Sequence, residues 1–140
     1  MLKLKILSVG KTKEKWLDDA LREYLKRLKP VVQIECFWAK DTAQLCEWAQ
    51  KEPSALCLDP RGRHFTSEEF SSFLVHAWEK ERSRLTCIIG GAEGLPQDLK
   101  QNNTLISLSA LTFTHQLTRL VLIEQVYRAL EIQKGSQYHK

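Results

Sequence analysis

The chain contains 140 residues, of which 43% are hydrophobic and 27% are charged, and its formal net charge is +4. This length and balance are typical of one globular domain, so we take residues 1–140 as a single domain and exclude a disordered or fibrous chain. No apolar run is long enough to span a membrane, and Leu and Lys alternate where a signal peptide would be continuously apolar, so we expect a cytoplasmic protein without membrane association.

The first half of the chain predicts alternating strands and helices. The apolar residues of the first helix recur at helical spacing, and Pro30 follows its end. Asp41 and Thr42 are both candidates for the N-cap of the second helix. The predicted elements are a strand over 2–9, a helix over about 15–28, a strand over 31–37, a helix from about 42 to 51 and a strand over 55–58.

The second half continues this pattern. Residues 59–62 predict a turn, and Thr66 with Glu69 forms a capping-box signature before the next helix. The elements that follow are a helix to about 82, a strand over 85–89, a short helical turn, a strand over 105–108 and a helix over about 115–133 that Gly135 ends. Strands that alternate with helices predict an α/β fold with a mostly parallel sheet flanked by helices. Such folds bind ligands beyond the carboxyl ends of their strands.

The four cysteines and four histidines show no metal-binding spacing. The cysteines form no CxxC pair, and no HExxH sequence occurs. Cys36, Cys57 and Cys87 have apolar neighbours, which is typical of buried thiols in a reducing compartment. We therefore expect no bound metal and assign the cysteines no chemistry.

Two glycine-containing segments match phosphate-binding motifs only in part. Gly10 is followed by Lys11 and Thr12 like the end of a P-loop, but Lys5 stands where that motif needs a glycine. Residues 90–94 read GGAEG, which is not the GxGxxG of dinucleotide-binding folds. A glycine pair after a buried strand permits close ligand approach, although a tight turn would use it as well. The first 30 residues contain nine Lys or Arg residues and four acidic residues. This excess of positive charge fits either contact with phosphate groups or a helix face that is exposed to solvent.

The last predicted helix has a wider apolar arc than packing on one sheet requires. Leu122, Ile123 and Val126 lie in this arc, and so does Arg119. The width favours burial against a second surface, such as another subunit. A guanidinium in an apolar arc needs a partner, so Arg119 either binds carbonyl or carboxylate groups at an interface or reaches an anionic substrate.

The chain ends in Tyr138, His139 and Lys140. Terminal residues are usually frayed and without function. An aromatic ring, an imidazole and a cation together nevertheless suit the binding of an unstacked base and its phosphate. Both interpretations stay open from the residues alone.

Several ordered sequence blocks resemble one known family. The blocks are Leu58-Asp59 with Gly62, IGGAEGL over 89–95, SLSALTFTHQL over 107–117, EQVYRA over 124–129 and the final Tyr138-His139-Lys140. Together they closely resemble the ribosomal RNA large subunit methyltransferase H family of the SPOUT superfamily, over essentially the full length. Thr114 and Gln137 stand where prolines are common in that family, and the stretch from about 38 to 54 is shorter than usual.

The resemblance implies a SPOUT-type fold with a C-terminal deep trefoil knot, and a homodimer. It also implies an enzyme that uses S-adenosylmethionine to methylate N3 of a pseudouridine in 23S rRNA of the assembled ribosome. Carried over by position, the expected cofactor-binding residues are Leu58, Gly90, Leu108, Ser109, Ala110, Leu111, Thr112 and Phe113. Methyl transfer from a sulfonium requires no metal, because the protein mainly aligns the donor with the acceptor.

The imide N3 must lose its proton, so a base or a nearby cation would assist the reaction. The candidates are Glu93 and the predicted catalytic residues Arg119 and His139. A tail that crosses to the cavity of a second subunit would bring Tyr138, His139 and Lys140 to the RNA. The alternative hypothesis is a non-catalytic ribosome-binding or assembly factor that kept the fold. An unrelated nucleotide-binding module is disfavoured because both phosphate-loop motifs are incomplete.

Overall fold

The protein forms a single sheet with helices on both faces, seen in a computed structural model that describes residues 1–139. Its elements are β1 (Leu2–Val9), α1 (Lys15–Leu28), β2 (Val32–Ala39), α2 (Thr42–Gln50), β3 (Leu56–His64), α3 (Ser67–Lys80), β4 (Arg84–Ile89), α4 (Gln97–Asn102), β5 (Thr104–Ser107) and α5 (His115–Lys134). The strand order is β2-β1-β4-β3-β5, and each neighbouring pair is parallel. The predicted α/β class with a mostly parallel, helix-flanked sheet is confirmed.

Two apolar cores lie on opposite faces of this sheet. Successive side chains of a strand point to opposite faces, so Leu4 and Ile6 of β1 enter one core and Leu7 enters the other. The first core packs beneath α1, α3 and α5, and the second packs beneath α2 and α4. Burial of apolar surface in both cores stabilises the sheet and fixes the helices that border its carboxyl edge.

Side-chain caps determine where the helices near this edge begin. Asp41, rather than Thr42, caps α2, because its carboxylate accepts a hydrogen bond from the backbone N–H of Gln44 at 2.9 Å. The predicted capping box of α3 is confirmed. Thr66 Oγ1 accepts from the Glu69 N–H at 3.1 Å, and the Glu69 carboxylate accepts from the Thr66 N–H at 2.8 Å. Each cap satisfies an N–H that has no partner within its helix and contributes about 1 kcal/mol.

The turn predicted at residues 59–62 is wrong, because these residues form a bulge within β3. Leu58 and Arg63 both pair with Ile106 of β5, so the four residues between them leave the strand ladder and return to it. Gly62 lies so close to β5 that a Cβ there would stand 2.6 Å from the Ile106 nitrogen. The local sequence has turn chemistry, but the strand pairing that resumes beyond it involves residues distant in sequence.

Within residues 1–139, no helix combines the length and apolarity that a membrane crossing requires. In the same range, His, Cys, Asp and Glu side chains form no group of three or more that could hold a metal ion.

Cys57 and Cys87 are buried free thiols as predicted, and burial raises their pKa to about 11 and about 12. Cys36 was expected to be buried with them but is only partly buried, because β2 is an edge strand.

Candidate functional site

A cavity of about 700 Å³ opens at the carboxyl ends of β3, β4 and β5. Its walls come from the bulge of β3, the loops after β4 and β5, and the first turn of α5. Because the three strands are neighbours in the sheet, their tips converge where open α/β sheets bind ligands. We refer to this space as the strand-tip cavity. Its lining residues are Leu58, Asp59, Pro60, Ile89, Gly90, Gly91, Ala92, Glu93, Gly94, Ser107, Leu108, Ser109, Leu111, Thr112, Phe113, Thr114, His115 and Thr118.

The loop after β4 depends on glycine at position 90. A Cβ on Gly90 would stand 2.7 Å from the carbonyl carbon of Gly94 and 2.9 Å from its oxygen, which are distances that real side chains do not adopt. The loop closes through a hydrogen bond from the Gly94 N–H to the Gly91 oxygen at 3.0 Å. Gly94 has φ +78°, a left-handed conformation that glycine adopts without strain. The glycines therefore make a tight loop whose backbone faces the cavity.

The loop after β5 is held by its own serines. Ser107 Oγ donates to the Ser109 carbonyl oxygen at 2.9 Å, and Ser109 Oγ accepts from the Leu111 N–H at 3.0 Å. These bonds fold the chain back on itself and leave the Leu111 side chain 71% exposed. An exposed leucine at the mouth of a cavity offers an apolar surface that a bound ligand can cover.

Most of the predicted cofactor-binding residues lie together around the cavity. Leu58, Gly90, Leu108, Ser109, Leu111, Thr112 and Phe113 all line it. Ala110 lies in the same loop, is exposed and does not line the cavity. Glu93, one of the candidate bases, lines it as well.

Asp59 anchors the β3 bulge at the cavity wall. Its carboxylate accepts from Lys100 Nζ at 2.9 Å and from the Arg61 N–H at 2.8 Å. Burial opposes ionisation of Asp59, but these two donors outweigh it and hold the pKa of the carboxyl below its usual value. The charged carboxylate thus ties the bulge to α4. Lys100 was not singled out in the sequence, because its partner lies 41 positions away.

His115 is a cavity residue that the sequence analysis did not select. It is the first residue of α5 and lines the cavity. Partial burial, together with the nearby charges of Arg119 and Lys13, lowers the pKa of its imidazole below 6.5. The ring is therefore mostly neutral at pH 7 and able to accept a proton. Its position directly after the loop that follows β5 is the sequence signal that could have identified it.

Arg119 is completely buried and binds groups of its own chain. Its guanidinium donates to Ser8 Oγ at 3.0 Å, to Thr12 Oγ1 at 3.1 Å and to the carbonyl oxygens of Val9 and Gly10. It also stacks on the Trp38 ring, with Cζ 4.0 Å from the ring centroid. Burial lowers the pKa of Arg119 to about 10, so the group stays charged at pH 7. The expected carbonyl partners are present, but they belong to the same subunit and not to an interface.

The C-terminal tail packs along α5 and away from the cavity of its own chain. The Tyr138 hydroxyl donates to Glu124 Oε2 at 2.7 Å, and its ring packs edge-on against Tyr127. His139 lies 3.1 Å from Arg128 Nη1 through Nδ1 and 2.9 Å from a Glu68 carboxylate oxygen through Nε2. None of the residues contacted by Tyr138 or His139 lines the cavity. Lys140 lies outside the described residues.

The comparison with known sequences identifies the family. Residues 2–139 match the family described as "Predicted SPOUT methyltransferase". The "Ribosomal RNA large subunit methyltransferase H" of Protochlamydia amoebophila is 69% identical over 140 residues, which cover 100% of both chains. The chain belongs to the ribosomal RNA large subunit methyltransferase H family. The proteins of the same name from Symbiobacterium thermophilum and Streptococcus uberis are 37% and 40% identical, and each alignment covers 99% of this chain and 100% of the relative.

These more distant family members are longer than this chain. The alignments extend over 161 and 159 positions, whereas the chain has 140 residues. The prediction that the missing residues fall between about 38 and 54 is not tested by these lengths and stays a prediction. The region contains α2, which packs on the face of the sheet opposite α1, α3 and α5.

A solved structure has the same fold as this family member. A Legionella pneumophila protein, described as a "putative methyltransferase" in complex with the bound cofactor SAM, matches with a TM-score of 0.51 and 12% sequence identity. The match covers 92% of this chain and 66% of the other. At this identity the likeness establishes a shared fold, and the family match over residues 2–139 identifies it as the SPOUT methyltransferase fold.

Proposed function

We propose that this protein transfers a methyl group from S-adenosylmethionine to N3 of a pseudouridine in 23S rRNA of the assembled ribosome. The observation that carries the proposal is the strand-tip cavity, which unites three of the family's five sequence blocks around one space of about 700 Å³. The names of the family members, which are large-subunit rRNA methyltransferases, support the substrate. A ribosomal substrate also supports a cytoplasmic location.

The residues of the cavity fit an adenosyl group. A pocket of this size is within the range that binds cofactors and drug-sized ligands. Leu58, Leu108 and Phe113 offer apolar surface to an aromatic base, and the loop at Gly90 has no room for a side chain, so backbone groups come close to the ligand. When bound, S-adenosylmethionine supplies the methyl group on an activated sulfonium.

His115 is the residue that we propose as the proton acceptor for the base. Its imidazole is neutral at pH 7 and lies on the cavity wall beside the loop of Thr112 and Phe113. A neutral imidazole can take the imide proton directly, because its acceptor nitrogen is not already protonated. Glu93 also lines the cavity, but its side chain is exposed on the loop after β4.

Arg119 was predicted to be catalytic, and we propose that it is a positioning residue. Its donors are bound to Ser8, Thr12 and two carbonyl groups, and its side chain is fully buried. A charged group that is satisfied in this way is costly to withdraw from its partners. Arg119 thus acts on the reaction through the loop after β1 and the helix that carries His115.

A homodimer with exchanged tails is the arrangement that we propose for the RNA-binding residues. Arg128, the partner of His139, lies 13 positions beyond His115, which is about 20 Å along α5. Tyr138 and His139 therefore reach a cavity most directly when it belongs to a second subunit. Leu122, Ile123 and Val126 of the predicted apolar arc are buried in the core of their own chain, so the apolar surface that supports a contact between two copies is the 60% exposed side chain of Trp16. The trefoil knot stays a prediction of the family resemblance.

The test is to offer radiolabelled S-adenosylmethionine to the protein with 70S ribosomes, separated subunits and naked 23S rRNA. We expect label in 70S ribosomes, and nuclease mapping is expected to place it on one pseudouridine. A non-catalytic assembly factor would bind ribosomes without incorporating label, and calorimetry would show weak or absent binding of the donor. Label in a base other than pseudouridine, or only in naked RNA, would contradict the proposed specificity.

A further inference from the structure

The loop that connects β1 to α1 carries two exposed lysines. This basic loop (residues 10–14) contains Lys11 and Lys13, and both side chains are exposed. Within residues 1–139, neither lysine forms an ion pair. Glu14 is the only carboxylate of the loop. The loop therefore presents two ammonium groups that are available to an external anion.

The acids that follow the loop are already paired. Lys15 Nζ lies 2.9 Å from an Asp19 oxygen, and Arg22 Nε lies 2.8 Å from an Asp18 oxygen. These i,i+4 pairs on α1 neutralise the carboxylates that would otherwise compete for the lysines of the loop. A shallow groove of about 430 Å³ runs between the loop and the start of α1.

Helix α5 holds the basic loop in one conformation. Gln116 Nε2 donates to the Lys11 oxygen at 2.7 Å, and Gln116 Oε1 accepts from the Lys13 N–H at 3.1 Å. Arg119 binds Thr12 and the carbonyl oxygen of Gly10 from the next turn of the same helix. Two α5 side chains thus fix the loop backbone, so the lysine positions are set before any ligand binds.

The basic loop also adjoins the strand-tip cavity. His115 and Thr118, which line the cavity, alternate along α5 with Gln116 and Arg119, which hold the loop. The charge of Lys13 is one of the causes that lower the pKa of His115, which requires the two groups to be near each other. At the other side of the loop, a Cβ on Gly91 would lie 3.5 Å from the Val9 side chain. One RNA strand can therefore meet both sites.

We propose that Lys11 and Lys13 bind the phosphate backbone of the RNA strand that carries the target base, and that Gln116 is the residue that positions them. The inference rests on the proposed function and adds to it a defined phosphate-contact surface. Ammonium groups bind phosphates through charge and release counterions without reading sequence. The basic loop then sets where the strand lies, and the cavity receives the base.

The test compares charge reversal in the basic loop with charge reversal at a single lysine remote from it. In one variant, K11E/K13E, both loop lysines are replaced. The control variant is Lys80→Glu. Lys80 is an exposed lysine at the C-terminal end of α3, on the side where the strands begin, whereas the basic loop lies where β1 ends. Methylation rates are measured against 70S ribosome concentration at several KCl concentrations. Calorimetry of S-adenosylmethionine and a thermal melt confirm that the variants fold and bind the donor.

We expect K11E/K13E to raise the KM for ribosomes about tenfold or more at low salt, with donor affinity close to that of the wild type. Because Lys13 helps to lower the pKa of His115, kcat is compared at a pH of about 8.5, where His115 stays neutral in both proteins and kcat is expected to be similar. The slope of log KM against log salt is expected to fall by about one for each lysine, which is the signature of lost phosphate contacts. Lys80→Glu is expected to match the wild type. Equal KM values and slopes for K11E/K13E and Lys80→Glu would overturn the inference.

Gln116→Ala tests the positioning role while both lysines remain. We expect a KM about threefold to fivefold higher than that of the wild type, an unchanged kcat, and an unchanged salt slope, because the charges are kept and only their placement is loosened. An unchanged KM would contradict the positioning role. If the wild type transfers no methyl group to ribosomes, the proposed function fails and this inference fails with it. If the wild type is active and only the variant results disagree, the inference alone fails.

Discussion

The strand-tip cavity and the C-terminal tail are built by different means. The cavity is shaped by backbone, with a glycine loop at Gly90 and a loop that Ser107 and Ser109 hold. The tail is held by side chains, through Tyr138 to Glu124 and His139 to Arg128. The backbone conformation of a loop is fixed by the fold, whereas partly buried side-chain contacts can be exchanged for other hydrogen bonds at a cost of about 1 kcal/mol. Donor binding and RNA binding are therefore expected to be separable by mutation.

Deletion of Tyr138 to Lys140 gives the sharpest separation. We expect donor affinity within about twofold of the wild type, since Tyr138 and His139 contact no residue that lines the cavity of their own chain. Methylation of ribosomes is expected to be lost, because the tail supplies contacts with the RNA base and phosphate. Calorimetry measures the first quantity and label incorporation the second.

Tyr138→Phe is the matched control for this deletion. It removes the hydroxyl bond to Glu124 at 2.7 Å and keeps the ring that packs against Tyr127. We expect partial activity from this variant. A deletion that lowered donor affinity and methylation together, with the fold intact, would show that the two regions are not separable.

His115→Gln is expected to lower kcat by about 100-fold and to keep donor binding, because the amide cannot accept the imide proton. The pH dependence of the methylation rate tests whether His115 is the base. The base works when neutral, so the wild-type rate falls as pH drops through the pKa of His115, which lies below 6.5. The variant is expected to lose this acidic limb. A variant that kept the same limb would assign it to another group.

Gly90→Ala tests the backbone-shaped region directly. The new Cβ would stand 2.7 Å from the Gly94 backbone, so the loop must move, and we expect donor affinity to fall about tenfold. Gly91→Ala is the control, since its Cβ would lie 3.5 Å from Val9 in ordinary contact. Equal affinities for the two variants in calorimetry would show that the loop at Gly90 does not shape the donor site.

The smallest expected effect is at Thr114, where prolines are common in the family. Thr114 caps α5 by accepting from the Leu117 N–H at 3.2 Å, and its φ of −60° suits proline. Thr114→Ala is expected to cost about 1 kcal/mol through the lost cap. Thr114→Pro loses the same cap but restricts the unfolded chain, so we expect a net change below about 1 kcal/mol. Urea unfolding measures both, and a larger loss in the proline variant would show strain at this turn.

The sequence predicted features with local causes. The capping box of Thr66 and Glu69 needs only four consecutive residues, and the apolar spacing of α1 needs only one helix, so both were visible. The family resemblance added the residues around the cavity, which lie on three separate loops.

Features that depend on distant contacts were not visible in this way. The bulge of β3 was interpreted as a turn, because its return to Ile106 depends on a strand more than 40 residues later. The need of Arg119 for a partner followed from its apolar surroundings, but the partners lie about 110 positions earlier in the chain. The altered pKa of His115 likewise depends on Lys13, which no local pattern connects to it.

The stacking of Arg119 on Trp38 gives the protein an internal optical reporter. The chain has four tryptophans, and the indole of Trp38 both contacts the Arg119 guanidinium at 4.0 Å and lines the groove beside the basic loop. Indole emission is sensitive to adjacent charge and to hydration. In a variant that keeps Trp38 as its only tryptophan, fluorescence would follow the arrival of a polyanion at the groove in real time, without a label on either molecule.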